Sequence, residues 1–326
     1  MEVNKIHNIN FLDNTLPDKC ANLIIADPPY FEVKGDFDFI WKSFDDYLKD
    51  VEKWAKECKR LIADNGTLFW YGDRKNIAYA QVILDEYFEF QNHIYWQKAE
   101  KCQMEMFDTL RSFYCRGYER ILMYSTKEDV LNLTGCITMI RDYVREEILK
   151  AKGKIVLKQV NEALGTATNG GGVASACLSL DKTEPAMITE EMYLKLQNWV
   201  KPFLSKSYQE LRIEYEYKRA ELEAQRRPFN NFLKLSDHWK FTNDGSVNDL
   251  DHPTVKPEEM TRAMILTCSR PNDLVVVPFA GSGTECAMSV KEGRKTIGFE
   301  ITEKHAKMSN DRVQNILRQP SLFVGS

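Results

Sequence analysis

Leu23-Ile24-Ile25-Ala26-Asp27-Pro28-Pro29-Tyr30 is an apolar run that stops on an acid, two prolines and an aromatic ring. The run reads as a short buried strand. The prolines cannot donate to a sheet and they restrict the residue before them, so the chain must leave the strand stiffly. At the strand's end remain the Asp27 carboxylate, the Pro28 carbonyl with no competing N–H beside it, and the flat ring of Tyr30. Together they are suited to hold a planar ring that bears an amino group.

The flanking sequence alternates strand and helix. Apolar residues at helical spacing (Phe44, Leu48, Val51, Trp54, Ala55, Leu61) predict a helix over 44–63. Asp64-Asn65-Gly66 predicts a turn, followed by a strand at Thr67–Tyr71. Residues 74–88 read as helix, and His93–Trp96 and Arg120–Tyr124 as strands. Such alternation implies βαβ units and a mostly parallel sheet. The character changes near 131. From about 137 to 226 the sequence predicts helices at 137–152, 156–164, 173–180, 189–204 and 208–226, with Asn169–Gly172 as a turn. After Pro228 the α/β pattern resumes, with a helix at 258–269 and strands at 274–277 and 295–299. The expected organisation is therefore one α/β domain formed by 1–130 and 228–326, interrupted by a helical insertion at 131–227.

Pro278-Phe279-Ala280-Gly281-Ser282-Gly283-Thr284 follows the 274–277 strand and opens a helix. Glycines there bring bare backbone against a ligand, and Glu300, 19 residues after Gly281 at the end of the next strand, stands where an acid takes ribose hydroxyls. Read alone, the pattern also fits a tight βα turn with an incidental acid. The third glycine of a dinucleotide fingerprint is replaced by Cys286, and no Gly-Lys-Ser/Thr phosphate loop follows. A nucleoside without phosphates, such as S-adenosylmethionine, fits better.

The chain has 326 residues, 43% hydrophobic and 28% charged, which is ordinary globular composition with ample core. No apolar run approaches the ~20 residues of a membrane span. The start Met1-Glu2-Val3-Asn4-Lys5 lacks the features of a signal peptide. The eight cysteines are scattered without a Cys-x-x-Cys pair, which points to reduced thiols in a cytoplasmic protein rather than a disulfide frame or zinc site. The net charge of −4 argues against a uniformly basic surface but leaves room for a local nucleic-acid groove.

Asp27-Pro28-Pro29-Tyr30, His252-Pro253-Thr254-Val255-Lys256-Pro257 and the glycine turn together resemble the motifs of the amino-group DNA methyltransferases, which act on N6 of adenine or N4 of cytosine. Their order, catalytic motif first and cofactor motif last, resembles the β class. The resemblance covers about 1–130 and 228–318. It implies a doubly wound, circularly permuted Rossmann-like sheet and S-adenosylmethionine as cofactor. It assigns Asp27, Pro28, Pro29 and Tyr30 to catalysis on a flipped-out base. It assigns Phe279, Gly281, Ser282, Gly283, Thr284, Glu300, Thr254 and Lys256 to the cofactor, the last two near its carboxylate. Thr254 and Lys256 also read as a plain loop between two prolines. Many relatives carry an acid before Pro-Phe where this chain has Val277, which implies weaker cofactor contacts there. Asp rather than Ser at position 27 resembles the adenine enzymes; N4-cytosine is the alternative. A related glutamine methyltransferase group prefers Asn there.

The insertion occupies the place of the family's target-recognition region. Residues 156–164 and 173–180 have helix-turn-helix proportions around a longer turn; a plain helical bundle is the alternative. Residues 131–234 hold 16 Lys/Arg against 13 Asp/Glu, and Lys150, Lys152, Lys154, Lys158, Arg226 and Arg227 are candidate contacts to double-stranded DNA. A solvated lysine face is the other reading of such a run. Gln103–Arg116 is a candidate closing loop. Homodimers and a cognate restriction endonuclease are the expected protein partners. The rival from another class is a catalytically weak DNA-binding regulator that keeps the fold, and RNA is a further candidate substrate.

Overall fold

The computed structural model describes residues 1–33, 38, 40–98, 117–127, 134–168, 172–181, 185–242 and 255–318. The described chain divides into two compact units, 1–129 with 227–326, and 130–226.

The first unit is built on a sheet of strands β1 (Lys5–His7), β2 (Ala21–Ala26), β3 (Ile62–Gly72), β4 (Glu89–Gln97), β5 (Tyr118–Ser125), β6 (His238–Lys240), β7 (Leu274–Val277) and β8 (Lys295–Phe299). Their order is β1-β8-β7-β2-β3-β5-β4-β6. Every described neighbouring pair is parallel except the two that involve β5, so β5 alone of these strands runs backwards. Helices α1 (Phe44–Leu61) and α2 (Ile77–Tyr87) connect strands to one side of β2, and α8 (Glu258–Cys268), α9 (Thr284–Lys291) and α10 (Glu303–Arg318) accompany β7 and β8 on the other. The chain order therefore reverses between β2 and β7, which are hydrogen-bonded neighbours. Open α/β sheets bind ligands in the crevice beyond the carboxyl ends of the strands at such a switch point.

Side-chain alternation along the strands assigns the two faces. Ile24, Ala26, Leu68, Trp70, Leu122, Tyr124 and Val276 share one core with α1 and α2. Leu23, Ile25, Phe69, Tyr71, Ile121, Met123, Val275 and Val277 share the other with α8, α9 and α10. Helix α1 forms where its sequence dictates: Ser43 caps it by accepting from the Asp46 N–H at 3.2 Å, acids fill its first turn and Lys59 and Arg60 its last. At the β1 edge Asn310 imitates a strand, donating to the Ile6 carbonyl at 2.7 Å and accepting from its N–H at 2.9 Å. That contact occupies backbone groups of an otherwise unpaired edge.

Three details differ from the sequence reading. Asp64-Asn65-Gly66 is no turn between elements but lies inside β3: Ala21 pairs with Ile62 and Leu23 with Thr67, so the extra residues bulge out of the ladder. Strands β1 and β6, three residues each, carry no local pattern that would predict them. The helix expected over 173–180 ends at Leu178.

The second unit is helical: α3 (Thr134–Lys152), α4 (Leu157–Leu164), α5 (Val173–Leu178), α6 (Glu190–Trp199) and α7 (Tyr208–Gln225). Its own core gathers Ile140, Val144, Ile148, Val160, Leu164, Leu178, Tyr193, Leu196 and Leu211. Buried Asn161 joins α4 to α5 by accepting from the Ala174 N–H at 2.9 Å. Ser207 and Glu210 close a capping box on α7.

Candidate active site

The carboxyl ends of the parallel strands deliver one side chain after another to a cavity of about 960 Å³. From β2 come Asp27, Pro28, Pro29 and Tyr30; from β7, Pro278, Phe279 and Gly281; from β8, Glu300; from β3, Asp73; from β4, Lys98. Reversed β5 contributes its beginning instead, Tyr118 and Glu119, and Lys256 reaches in from the segment before α8. Trp41 and Trp54 complete an aromatic side wall.

In the cavity wall Asp27 is held on both oxygens. The Tyr30 hydroxyl donates to Oδ1 at 2.6 Å and the Lys256 ammonium donates to Oδ2. The Lys256 side chain is only 7% exposed, and Glu119 Oε2 stands 3.9 Å from its Nζ. The ammonium also lies 4.8 Å from the centre of the Tyr71 ring. Burial works against that charge, but Asp27 and Glu119 outweigh it and hold Lys256 protonated well above the ordinary lysine range. Burial, then the Asp27 charge, push the Tyr30 phenol up, so it stays a donor. The backbone N–H of Tyr30 is fixed by Asp38 at 2.5 Å, which sets the turn.

The glycine turn and β8 meet at the same cavity. Gly281 and Gly283 both have positive φ, +48° and +71°. A Cβ on Gly283 would lie 2.6 Å from Ser309 Cβ, so α10 packs directly onto the turn. Ser309 donates to the Gly281 carbonyl at 2.6 Å. The Gly281 N–H donates to Glu300 Oε2 at 2.9 Å, and Glu300 Oε1 accepts from Thr302 N–H at 2.8 Å. The acid expected from spacing alone is thus anchored to the glycine it was paired with. Phe279 packs edge-on against Trp54 with ring centres 5.0 Å apart.

Other expected residues go elsewhere. Ser282, Gly283 and Thr284 do not line the cavity; the Ser282 carbonyl and the Thr284 hydroxyl accept from Arg312 at 3.2 and 2.9 Å. Val277 is buried among the α8–α9 core residues, away from the cavity. Lys256 stands on Asp27. Arg227 lies near Gln91 at the opposite, amino end of β4, with its guanidinium over Phe229. In the helical unit Lys150 pairs with Glu147 at 2.6 Å and Lys152 covers Trp199, while Lys154 and Lys158 are exposed and Arg226 lies 3.5 Å from Glu223. Thr254, the Asn169–Gly171 stretch and Gln103–Arg116 fall outside the described residues.

Sequence reading missed Glu119, Lys98 and Glu285. Lys98 pairs with Glu119. Glu285, in the first turn of α9, is buried with Oε1 lacking a partner among the described residues. Burial pushes its carboxyl up to about 6 against the pull of Lys256. A lone acid beside a strand has no local signal; only the strand end it shares with Asp27 marks Glu119.

The family model for N6/N4 DNA methylases matches residues 21–311. The chain belongs to this family. The methyltransferase is 25% identical over 305 residues to the DNA adenine methyltransferase YhdJ of Escherichia coli strain K12, covering 91% of this chain and 78% of that one. It is 24% identical over 323 residues to the type II methyltransferase M1.MboII of Moraxella bovis, covering 95% and 96%. Its fold is that of a DNA modification methylase from Thermus thermophilus solved with S-adenosyl-L-methionine: 14% identity, 96% and 94% coverage, TM-score 0.52. The doubly wound fold read from the motifs is therefore the observed one, and S-adenosylmethionine is the methyl donor the family uses.

The cavity fits that donor. Glu300 would offer a fixed carboxylate to a diol and Phe279 and Trp54 an apolar wall to a purine, and Asp27 and Glu119 line the same cavity. Its volume is at the upper end of the range for small-molecule sites, enough for a nucleoside and a base together.

Proposed function

We propose that the methyltransferase transfers a methyl group to N6 of an adenine flipped out of double-stranded DNA. The observation that carries this reading is that the Asp27 carboxylate and the Gly281–Glu300 pair line one cavity. S-adenosylmethionine, when bound, supplies an electrophilic methyl group. The chain's own residues do the rest. Tyr30 offers its ring face to the flipped base, a contact worth ~1–3 kcal/mol per base. Asp27 and the Pro28 carbonyl accept the amino hydrogens. A carboxylate has about four lone-pair directions, so Asp27 can take the amine while Tyr30 and Lys256 still hold it. Two fixed acceptors favour a tetrahedral nitrogen with an available lone pair and stabilise the positive charge that develops on it. The cavity fixes the approach of the two reactants.

Asp at position 27 and the adenine specificity in the name of YhdJ support adenine over the N4-cytosine alternative. The helical unit, with Lys150, Lys152, Lys154, Lys158 and Arg226, is proposed to read the target sequence. The type II name of the Moraxella relative supports a cognate restriction endonuclease as a partner, and a homodimer is the proposed assembly. The test is incubation with tritiated S-adenosylmethionine and unmethylated genomic DNA. Label enters DNA with the unsubstituted chain and is lost in Asp27→Ala, whose circular dichroism matches the parent. Equal transfer by Asp27→Ala would remove Asp27 from the mechanism.

A further inference from the structure

Asp27, Glu119, Lys256 and Lys98 line the cavity, and the buried carboxyl of Glu285 interacts electrostatically with Lys256 and Asp27. Asp27 comes from the end of β2, Glu119 from β5 and Glu285 from α9; Lys256 comes from the segment before α8 and Lys98 from the end of β4. Tyr30 and Tyr71 are the other titratable groups facing them, and Arg312 acts on Glu285 from α10. Lys256 is the centre of this cluster. Its ammonium is buried, donates to Asp27 and stands 3.9 Å from Glu119 Oε2, an oxygen with no hydrogen-bond partner among the described residues. A buried ammonium this close to two carboxylates has a fixed position, because leaving it strands buried charge.

We propose that Lys256 is a positioning residue for Asp27, anchored by Glu119, and does not hold the carboxylate of the methyl donor. The proposal rests on the methyltransferase reading above. As the new C–N bond forms and the S–CH3 bond breaks, the S–C electron pair stays on sulfur and the amine nitrogen becomes cationic. The amine then sheds one proton, which Asp27 accepts. Lys256 serves this step in two ways. It occupies one lone-pair direction of Oδ2, so the directions left on the carboxylate stay open as acceptors for the amine. It also fixes the carboxylate's rotation, because Oδ2 is tied to a buried ammonium that has a second carboxylate, Glu119, 3.9 Å away. The cluster counts three acids against two lysines, and it neutralises one charge when it takes up the amine proton.

The test separates two roles for one lysine. Lys256→Met, Lys256→Arg and Glu119→Gln are compared with the parent chain. Affinity for S-adenosylmethionine is measured by calorimetry, and single-turnover methyl transfer to unmethylated genomic DNA is measured at saturating donor over pH 5.5–9. Positioning predicts donor affinity within about 3-fold of the parent in all three. It predicts a transfer rate at pH 7 lowered about 100-fold in Lys256→Met, the scale of a lost acid–base group. Lys256→Arg recovers at least a tenth of the parent rate, and Glu119→Gln falls between. Loss of donor affinity of 10-fold or more in Lys256→Met, with an intact rate at saturation, overturns the proposal in favour of a donor-binding lysine. If Lys256→Met does not fold, Glu119→Gln decides it: an unchanged transfer rate at saturating donor in that variant overturns the proposal. No transfer by the parent chain refutes the proposed function itself, and the inference with it.

Discussion

Replacing Gly283 by alanine tests how the glycine turn is built. Gly283 has φ +71° and ψ 20°, the left-handed region, and a Cβ there meets Ser309 Cβ at 2.6 Å and Ser309 Oγ at 2.8 Å. Two terms follow. The left-handed backbone costs a residue with a Cβ about 1–2 kcal/mol. Forcing a methyl into packed space costs about 1–3 kcal/mol more, because Ser309 is fully buried and already committed to the Gly281 carbonyl. The sum is roughly 2–5 kcal/mol, a large share of a typical domain's 5–15. Gly293 supplies the control: its φ is +75°, but a Cβ there meets nothing within 4 Å. Gly293→Ala therefore carries only the backbone term of about 1–2 kcal/mol. Urea unfolding followed by tryptophan fluorescence reads the right unit, since Trp199 alone of the six tryptophans lies in the helical one. Gly283→Ala should shift the unfolding free energy by about 1–3 kcal/mol more than Gly293→Ala. Equal effects in the two variants would refute the close approach of α10 to the turn.

Further outcomes can be checked independently. Glu300→Gln keeps the size but loses the charge of the group on the Gly281 N–H, and should weaken S-adenosylmethionine binding about 10- to 100-fold by calorimetry, the range of a lost charged hydrogen bond. Glu285 has a folded-state value of about 6 against an ordinary 4.5, so the folded chain holds its proton more tightly than the unfolded one. Stability therefore falls as pH rises from about 4.5 to about 6, by roughly 2 kcal/mol, and the loss persists above that window. Glu285→Gln should flatten that part of a urea-unfolding series against pH; an unchanged slope would show that Glu285 is solvated. Trp54→Ala empties the wall against Phe279 and should cost about 3–5 kcal/mol in urea, while a change below about 1 kcal/mol would mean the wall collapses to fill it.

What the sequence discloses is whatever is local. The β2 strand and its Asp-Pro-Pro-Tyr end announce themselves within eight residues, and so does the glycine turn. Glu300 is reached by counting from Gly281, since the length of one helix and one strand is nearly fixed. The rest depends on pairing across the chain. Lys256 and Asp27 are 229 residues apart, and nothing in the loop around Lys256 tells which residue of the cavity it serves. Strands β1 and β6 exist because β8 and β4 offer edges, and their own three residues carry no period. Asp64-Asn65-Gly66 reads as a turn, yet the ladder between β2 and β3 absorbs it as a bulge. Arg227 is next to Arg226 in sequence, but it belongs to the sheet unit and lies near Gln91 at the amino end of β4.

The central claim is that Asp27 presents an adenine amino group to a methyl donor bound beside Gly281 and Glu300. DNA methylated by the protein with isotope-labelled S-adenosylmethionine, digested to nucleosides and resolved by mass spectrometry, tests it most directly. The account predicts label in N6-methyldeoxyadenosine alone, and none with Asp27→Ala. Label in N4-methyldeoxycytidine would contradict the base assignment, and unlabelled DNA would contradict the reaction.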